Sequence, residues 1–306
     1  MFFDLRREAT LGAIVEFHGV GVHSGSPVAM KVIPTNEGHG VIFKRTDVAV
    51  KNRFIKLSPE AVVDPTLCTR VANKSGVSVS VIEHFLAALR ICGITNVLVE
   101  LNSAEVPIMD GSALMFINEF KKVGIVPQDA FIPAVLIKKP ITVKSGNGEI
   151  SITPSNGCNV SISVSYDRIN SVVGANNEYS FCMNDNLSDD IAQARTFGWL
   201  DDYERIKANG FANGASEENT VVILHDHSIK NTGGLRNPKE LVMHKCLDFI
   251  GDISVLGYDI VGEIRGVNTS HLLNNLLMKA LLKKIHLHEI MAENAVKNTA
   301  RALEFA

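Results

Sequence analysis

The sequence predicts an α+β fold built from two similar halves, and three observations carry that expectation. Short apolar runs broken by Gly, Ser, Pro and Asn give a strand-and-turn texture over residues 12–57 and again over 135–183. Each texture then gives way to the same order of helix, strand and helix: 81–90, 97–101 and 113–123 in the first half, and 238–256, 260–264 and 272–284 in the second. A chain of 306 residues also exceeds one ordinary core. The halves share an order of elements without a residue-level repeat. The expectation is two similar two-layer α/β sandwich domains, 1–126 and 132–306, packed through their helices, with a site at the interface between them.

In order, strands are expected within 12–33 and at 41–43 and 54–57. Residues 80–90 have helical apolar spacing and stop near Gly93. A strand follows at 96–101. Pro107-Ile108-Met109-Asp110-Gly111-Ser112 reads as a turn in which Asp110 or Ser112 caps the helix 113–123. Residues 124–133, with Pro127 and Pro133, are the best boundary segment. Residues 135–137, 141–143 and 150–152 read as hairpin elements around a Gly-containing turn, and further strands are expected at 160–164 and 179–183. Short helices are expected at 189–195, ending at Thr196-Phe197-Gly198, and at 201–208, ending before Gly210. A strand at 220–224 precedes a helix at 238–256, with Asn237 as cap and Pro238 in its first turn. A strand at 259–264 and a helix from Ser270 close the chain.

Composition excludes several classes. The formal net charge of −3 gives no electrostatic reason to expect nucleic acid or an anionic membrane as partner. Five widely spaced cysteines with no CxxC pair argue against a disulfide framework and against a thiolate zinc site. The N-terminus lacks the apolar core of a signal peptide, and no apolar run approaches the ~18 residues of a membrane span. A cytoplasmic protein is expected.

Three ionisable clusters sit on helices that otherwise read as buried: Glu83-His84, the set His244, Lys245, Asp248 and Asp252, and His271. Charged groups on core-facing helices are costly unless paired or metal-bound. On a helix, His244 and Asp248 lie roughly 40° apart on one face, and Asp252 one turn further along the same edge. Taken singly, each cluster is most simply a satisfied core or surface group. Taken together, His84, His244 and Asp248 are two imidazoles and a carboxylate, the donor set of a catalytic zinc that keeps an open position for water. Glu83 then stands as general base, and His271, oriented by Asp252, as proton donor.

At these residues the chain closely resembles the UDP-3-O-acyl-N-acetylglucosamine deacetylases, zinc amidases of lipid A biosynthesis. The matching runs, in order, are Gly19-Val20-Gly21-Val22-His23-Ser24-Gly25, residues 79–89 around Glu83-His84, and Glu105-Val106-Pro107-Ile108-Met109-Asp110-Gly111-Ser112-Ala113. They continue with Ala194-Arg195-Thr196-Phe197-Gly198, residues 214–219, Gly234-Leu235-Arg236, residues 244–252 and His271-Leu272-Leu273-Asn274. Ordered matches over both halves are far more specific than any one short motif.

The resemblance implies one Zn2+ on His84, His244 and Asp248, with Glu83 as base. It implies a protonated His271 oriented by Asp252, Thr196 near the developing oxyanion, Phe197 lining a sugar pocket and Lys245 on the polar head of the substrate. It also implies two α+β domains and an insert forming an apolar passage for an acyl chain, for which 199–214 is the nearest candidate. The chain departs from the family at Asn268-Thr269-Ser270, where Lys-Ser-Gly is usual, and at 239–243, where an acidic-Glu-Phe-Val-Arg pattern is usual.

The expected activity is zinc-dependent hydrolysis of the acetamide of UDP-3-O-acyl-N-acetylglucosamine to UDP-3-O-acyl-glucosamine and acetate. The expected protein is a monomer whose partner is that UDP-linked acylated amino sugar. The alternatives are a zinc amidase of the same fold acting on another acylated amino sugar, or a non-catalytic nucleotide-sugar or acyl-chain binding module.

Overall fold

Apolar residues alternate along the strands of the first half, and in the computed structural model, which describes residues 5–165, 167–174, 177–183 and 189–291, that alternation becomes one buried face. The elements are β1 (Arg7–Leu11), β2 (Val15–Val20), β3 (Pro27–Pro34), β4 (Val41–Arg45), β5 (Phe54–Lys56), β6 (Arg70–Ala72) and β7 (Ser78–Ser80), then α1 (Glu83–Ile91), β8 (Val97–Leu101), α2 (Leu114–Val123) and β9 (Ile125–Phe131). Val28, Met30 and Val32 of β3 and Val97, Val99 and Leu101 of β8 point into the core. There Phe17, Phe85, Phe116 and Phe120 pack edge to face across β2, α1 and α2.

The second half runs β10 (Ala134–Leu136), β11 (Ile141–Ser145), β12 (Gly148–Thr153), β13 (Asn159–Ser163), α3 (Asp167–Val173), β14 (Glu178–Cys182), α4 (Asp189–Ala192), β15 (Phe197–Trp199), α5 (Leu200–Ala208) and β16 (Val221–Ile223). It ends with α6 (Glu240–Ser254), β17 (Asp259–Val261), β18 (Glu263–Val267), α7 (His271–Lys283) and β19 (Glu289–Met291).

The two five-stranded sheets share one topology. The first runs β2-β3-β8-β4-β5 and the second β11-β12-β18-β13-β14. Numbered by order along the chain, both read 1-2-5-3-4. In both, the third and fifth strands are the parallel pair (β4 with β8, β13 with β18), and every other neighbouring pair is antiparallel. A helix precedes the fifth strand in each half (α1, α6) and another follows it (α2, α7). The α+β fold of two two-layer units is therefore present, and α1 lies against α6 where the helical layers meet.

Gly251 explains how closely those helices approach. A Cβ at this position would sit 2.0 Å from the backbone oxygen of Glu83, so only glycine lets the first turn of α1 rest on α6. A second tie lies at the C-terminal end of α1, just past the end of α6. There buried Asp259 receives Arg6 through Nε and Nη2, each at 2.8 Å, and also the Arg90 guanidinium.

Several expected elements are corrected. Within the expected boundary segment 124–133, β9 forms an unexpected strand and pairs antiparallel with β1, Pro127 being tolerated because the ribbon has only two strands. The single strand expected at 259–264 is split at Gly262 into β17 and β18, which belong to different sheets. A Cβ at Gly262 would lie 2.9 Å from Ile137 Cγ1 and 3.0 Å from Thr153 O, so the bend needs glycine. Pro238 falls outside α6, because Asn237 Oδ1 takes the amide of Lys239 at 2.8 Å and closes a turn ahead of the helix. The helix expected at 189–195 stops at Ala192, because Arg195 leaves it to pair with Glu240. The expected domain ends at 1–4 and 292–306 lie outside the described residues.

Candidate metal centre and active site

Charged residues on buried helices must find partners, and here they find one another. His84 comes from the first turn of α1, reached through Val81, a β-branched residue at φ 59°. Such a conformation costs about 1–3 kcal/mol and persists only where surrounding contacts impose it. His244 and Asp248 come from successive turns of α6. Asp248 Oδ1 lies 3.2 Å from His244 Nε2 and 3.6 Å from His84 Nε2, and the two imidazoles stand edge to face at 4.9 Å. The three donor atoms lie within 4.8 Å of one another and all three residues are buried.

The donor set fits a divalent metal. Asp248 Oδ1 is buried and has no hydrogen-bond partner among the described residues, an expensive state for a carboxylate unless a cation takes it up. His244 Nδ1 is 3.0 Å from the carbonyl of Ala194; donating there leaves the Nε2 lone pair free toward the cluster. Burial drives the His244 pKa down to about 3, keeping the imidazole neutral as a ligand must be. Burial opposes ionisation of Asp248, yet the positive charges of Lys245 and His271 help hold its pKa well below the usual carboxylate range; Lys245 Nζ reaches Oδ2 at 2.6 Å.

Beside the cluster stand a second acid and a third histidine. Glu83 is buried, its Oε2 accepting the amide of Thr69 at 2.9 Å. Burial raises its pKa, partly offset by His271 and His84. His271 opens α7, where the Ser270 hydroxyl caps the helix by accepting from the amide of Leu273 at 3.3 Å. Its Nδ1 is 2.9 Å from Asp252 Oδ2 and its Nε2 is 3.9 Å from Glu83 Oε1. Burial alone would lower His271, but Asp252, Glu83 and Asp248 outweigh it and push the pKa up to about 10, so the ring is cationic at neutral pH. Asp252 is further held by Asn274 Nδ2 at 2.8 Å and by the Thr69 hydroxyl.

Glu83, His84, His244, Asp248 and His271 line one cavity of ≈ 640 Å³. Thr196, Phe197 and Lys245 line it too. Thr196 is fixed through its backbone, its amide donating to Gly111 O and its carbonyl accepting from the amide of Val221, each at 2.8 Å. Gly111, at φ 81°, would place a Cβ 1.9 Å from Asn219 O and 3.4 Å from Thr196 Cγ2, so the Asp110-Gly111-Ser112 turn packs directly on the Asn219 backbone beside Thr196. Asp110 itself accepts from Ser112 and from Arg236 Nη1. Phe197 lies 6.0 Å from the His244 ring, with Lys245 Nζ 5.6 Å above its own. Leu200, Tyr203, Ile206 and Ala212 from the 199–214 region form an apolar wall of the same cavity. That region is clamped to the first half: the amides of Asn213 and Gly214 donate to His23 O and Val22 O, and the Ala212 amide to His23 Nδ1.

The family model LpxC: UDP-3-O-acyl N-acetylglycosamine deacetylase matches residues 8–283. The chain belongs to that family. Among its relatives, a UDP-3-O-acyl-N-acetylglucosamine deacetylase of Campylobacter jejuni is 36% identical over 298 residues, covering 97% of this chain and 98% of its own length. One of Myxococcus xanthus is 38% identical over 284 residues, covering 93% and 89%, and one of Syntrophus aciditrophicus is 36% identical over 277 residues, covering 90% and 86%.

The structure accounts for one of this chain's departures from the deacetylase pattern. Asn268 occupies a left-handed position at φ 51°, which asparagine tolerates. Its Oδ1 accepts from the amide of Ser165 at 2.8 Å and its Nδ2 donates to Asn147 O at 3.3 Å, so the side chain ties two turns together. In the other departing segment Glu240 keeps the usual Glu, and it is buried against Arg195, whose backbone carries Ala194 and Thr196 to the site. Sequence reasoning missed these supports: Thr69, Asn274, the Ala194 carbonyl, Gly251 and the Arg195–Glu240 pair. Only Asn274 left a signal, three residues after His271 on the same helical face.

Proposed function

We propose that this chain hydrolyses the acetamide of UDP-3-O-acyl-N-acetylglucosamine, giving UDP-3-O-acyl-glucosamine and acetate in lipid A biosynthesis. The observation that carries the reading is the convergence of His84, His244 and Asp248 beside Glu83 and the Asp252–His271 pair, in a chain of the deacetylase family. Two imidazoles and a carboxylate suit Zn2+. Such an ion supplies a Lewis acid for the amide carbonyl and brings the pKa of a water near neutral.

This chain's residues do the rest. Glu83, its proton affinity raised by burial, takes the proton of the attacking water. His271, kept cationic with Asp252 behind it, faces the negative charge that develops on the carbonyl oxygen and then supplies the proton that lets the amine leave. The Thr196 hydroxyl lies beside the same oxygen. Phe197 packs on the sugar and Lys245 meets the polar head. The apolar wall of 199–214 receives the acyl chain. Residues 1–126 and 132–306 act as the two domains, each supplying part of the centre.

A module that only binds has no use for a buried base facing a buried cationic histidine. A cytoplasmic, monomeric protein belongs to the same proposal; five cysteines without a CxxC pair suit a reducing compartment. The test is metal analysis of purified protein together with acetate release from the named substrate, before and after chelation. One zinc per chain, activity abolished by chelation and restored by zinc, is the expected result. Full acetate release from metal-free protein would sink the proposal.

A further inference from the structure

Thr69 touches both the base Glu83 and Asp252, the partner of His271, though neither motif nor charge draws attention to it. It is 2% exposed, immediately before β6. Its amide donates to Glu83 Oε2 at 2.9 Å, leaving Oε1 on the side of His271. Its carbonyl accepts from the amide of Ile82 at 3.4 Å, tying it to the start of α1. Its hydroxyl donates to Asp252 Oδ1, on α6 in the other half of the chain. The remaining oxygen of Asp252 serves His271 Nδ1 and Asn274 Nδ2.

We infer that Thr69 is a positioning residue for the deacetylation, its backbone aiming the base Glu83 while its hydroxyl sets Asp252, and through it His271, at a fixed spacing from that base. The inference rests on the proposed function. Its physical basis is that Asp252 is buried and its Oδ1 has this hydroxyl as donor. Without it, a buried carboxylate oxygen is left unpaired and Asp252 is free to turn away from His271. Misplacing a catalytic group by ~1 Å costs about 100-fold in rate, whereas binding of a substrate that does not touch Thr69 is spared.

The experiment compares Thr69→Val, which keeps the shape and the backbone amide but removes the hydroxyl, with Thr69→Ser, which keeps the hydroxyl but loses a methyl. Thr69→Val should lower kcat by about 10- to 100-fold with KM within about twofold of wild type, and bound zinc should stay at one per chain. Thr69→Ser should retain kcat within about threefold. A role in packing alone predicts the reverse order, because valine fills the site better than serine. Equal kcat for wild type and Thr69→Val, or equal losses in both variants, overturns the inference. A wild-type chain that released no acetate would defeat the proposed function instead. The His271 Nδ1 proton resonance then decides for Thr69: a shift in Thr69→Val but not in Thr69→Ser supports it, and no shift in either overturns it.

Discussion

The two halves of this molecule use one topology and load it unequally. Both sheets run 1-2-5-3-4, and α1 and α6 hold corresponding places ahead of the fifth strand. Yet α1 places its two functional residues side by side in its first turn, whereas α6 spreads His244, Asp248 and Asp252 down one edge. The helices after the fifth strands differ as well. The second half opens α7 with His271, while α2 gives nothing to the cavity. A duplicated scaffold has thus become an asymmetric site in which neither half holds a complete ligand set. The centre exists only where the halves dock, and Gly251 and the Arg6–Asp259–Arg90 cluster hold that seam.

The largest expected effect separates what α1 contributes. Glu83→Ala should cut kcat by about 10²- to 10⁴-fold while the protein still binds one zinc, measured by acetate release and metal analysis on the same sample. Loss of the metal would instead make Glu83 a ligand and shift the division of labour toward the first half. A smaller effect tests the seam. In Gly251→Ala the new methyl meets the Glu83 carbonyl, and the repacking should cost about 1–3 kcal/mol in urea unfolding, with weaker metal retention. Unchanged stability and metal affinity would mean that the helices are not held as closely as this geometry requires.

The gentlest test is pH. Glu83 must be ionised, and its raised pKa puts the acid limb of kcat/KM above the ordinary carboxylate range, activity falling as pH drops through it. His271 must stay protonated, so activity should fall as pH rises through about 10. A His271→Gln variant should lack that alkaline limb. If the limb survived the substitution, it would belong to another group.

Much of the fold was legible because its signals are local. Alternating apolar residues gave the strands, and i, i+4 spacing put His244 and Asp248 on one face of a helix that does form. The misreadings came where a tertiary contact overrides local pattern. Gly262 breaks one apolar run into strands of two sheets, and Arg195 abandons a helix for Glu240. Thr69 was illegible for a related reason: a threonine between Cys68 and Arg70 carries no periodic or charge signal, and its partner Asp252 lies 183 residues away.

By itself the sequence determined the α+β class, the presence of two imidazoles and several carboxylates on buried helices, and the kinship carried by its ordered motifs. Only the tertiary structure decided that His84 meets His244 and Asp248, that Asp252, Glu83 and Asp248 gather around His271, and that the apolar wall of 199–214 lines the same cavity. The division has a physical origin. Periodicity and side-chain chemistry belong to neighbours along the chain, whereas a ligand set, a pKa and a cavity depend on distances and burial set by docking two helical layers.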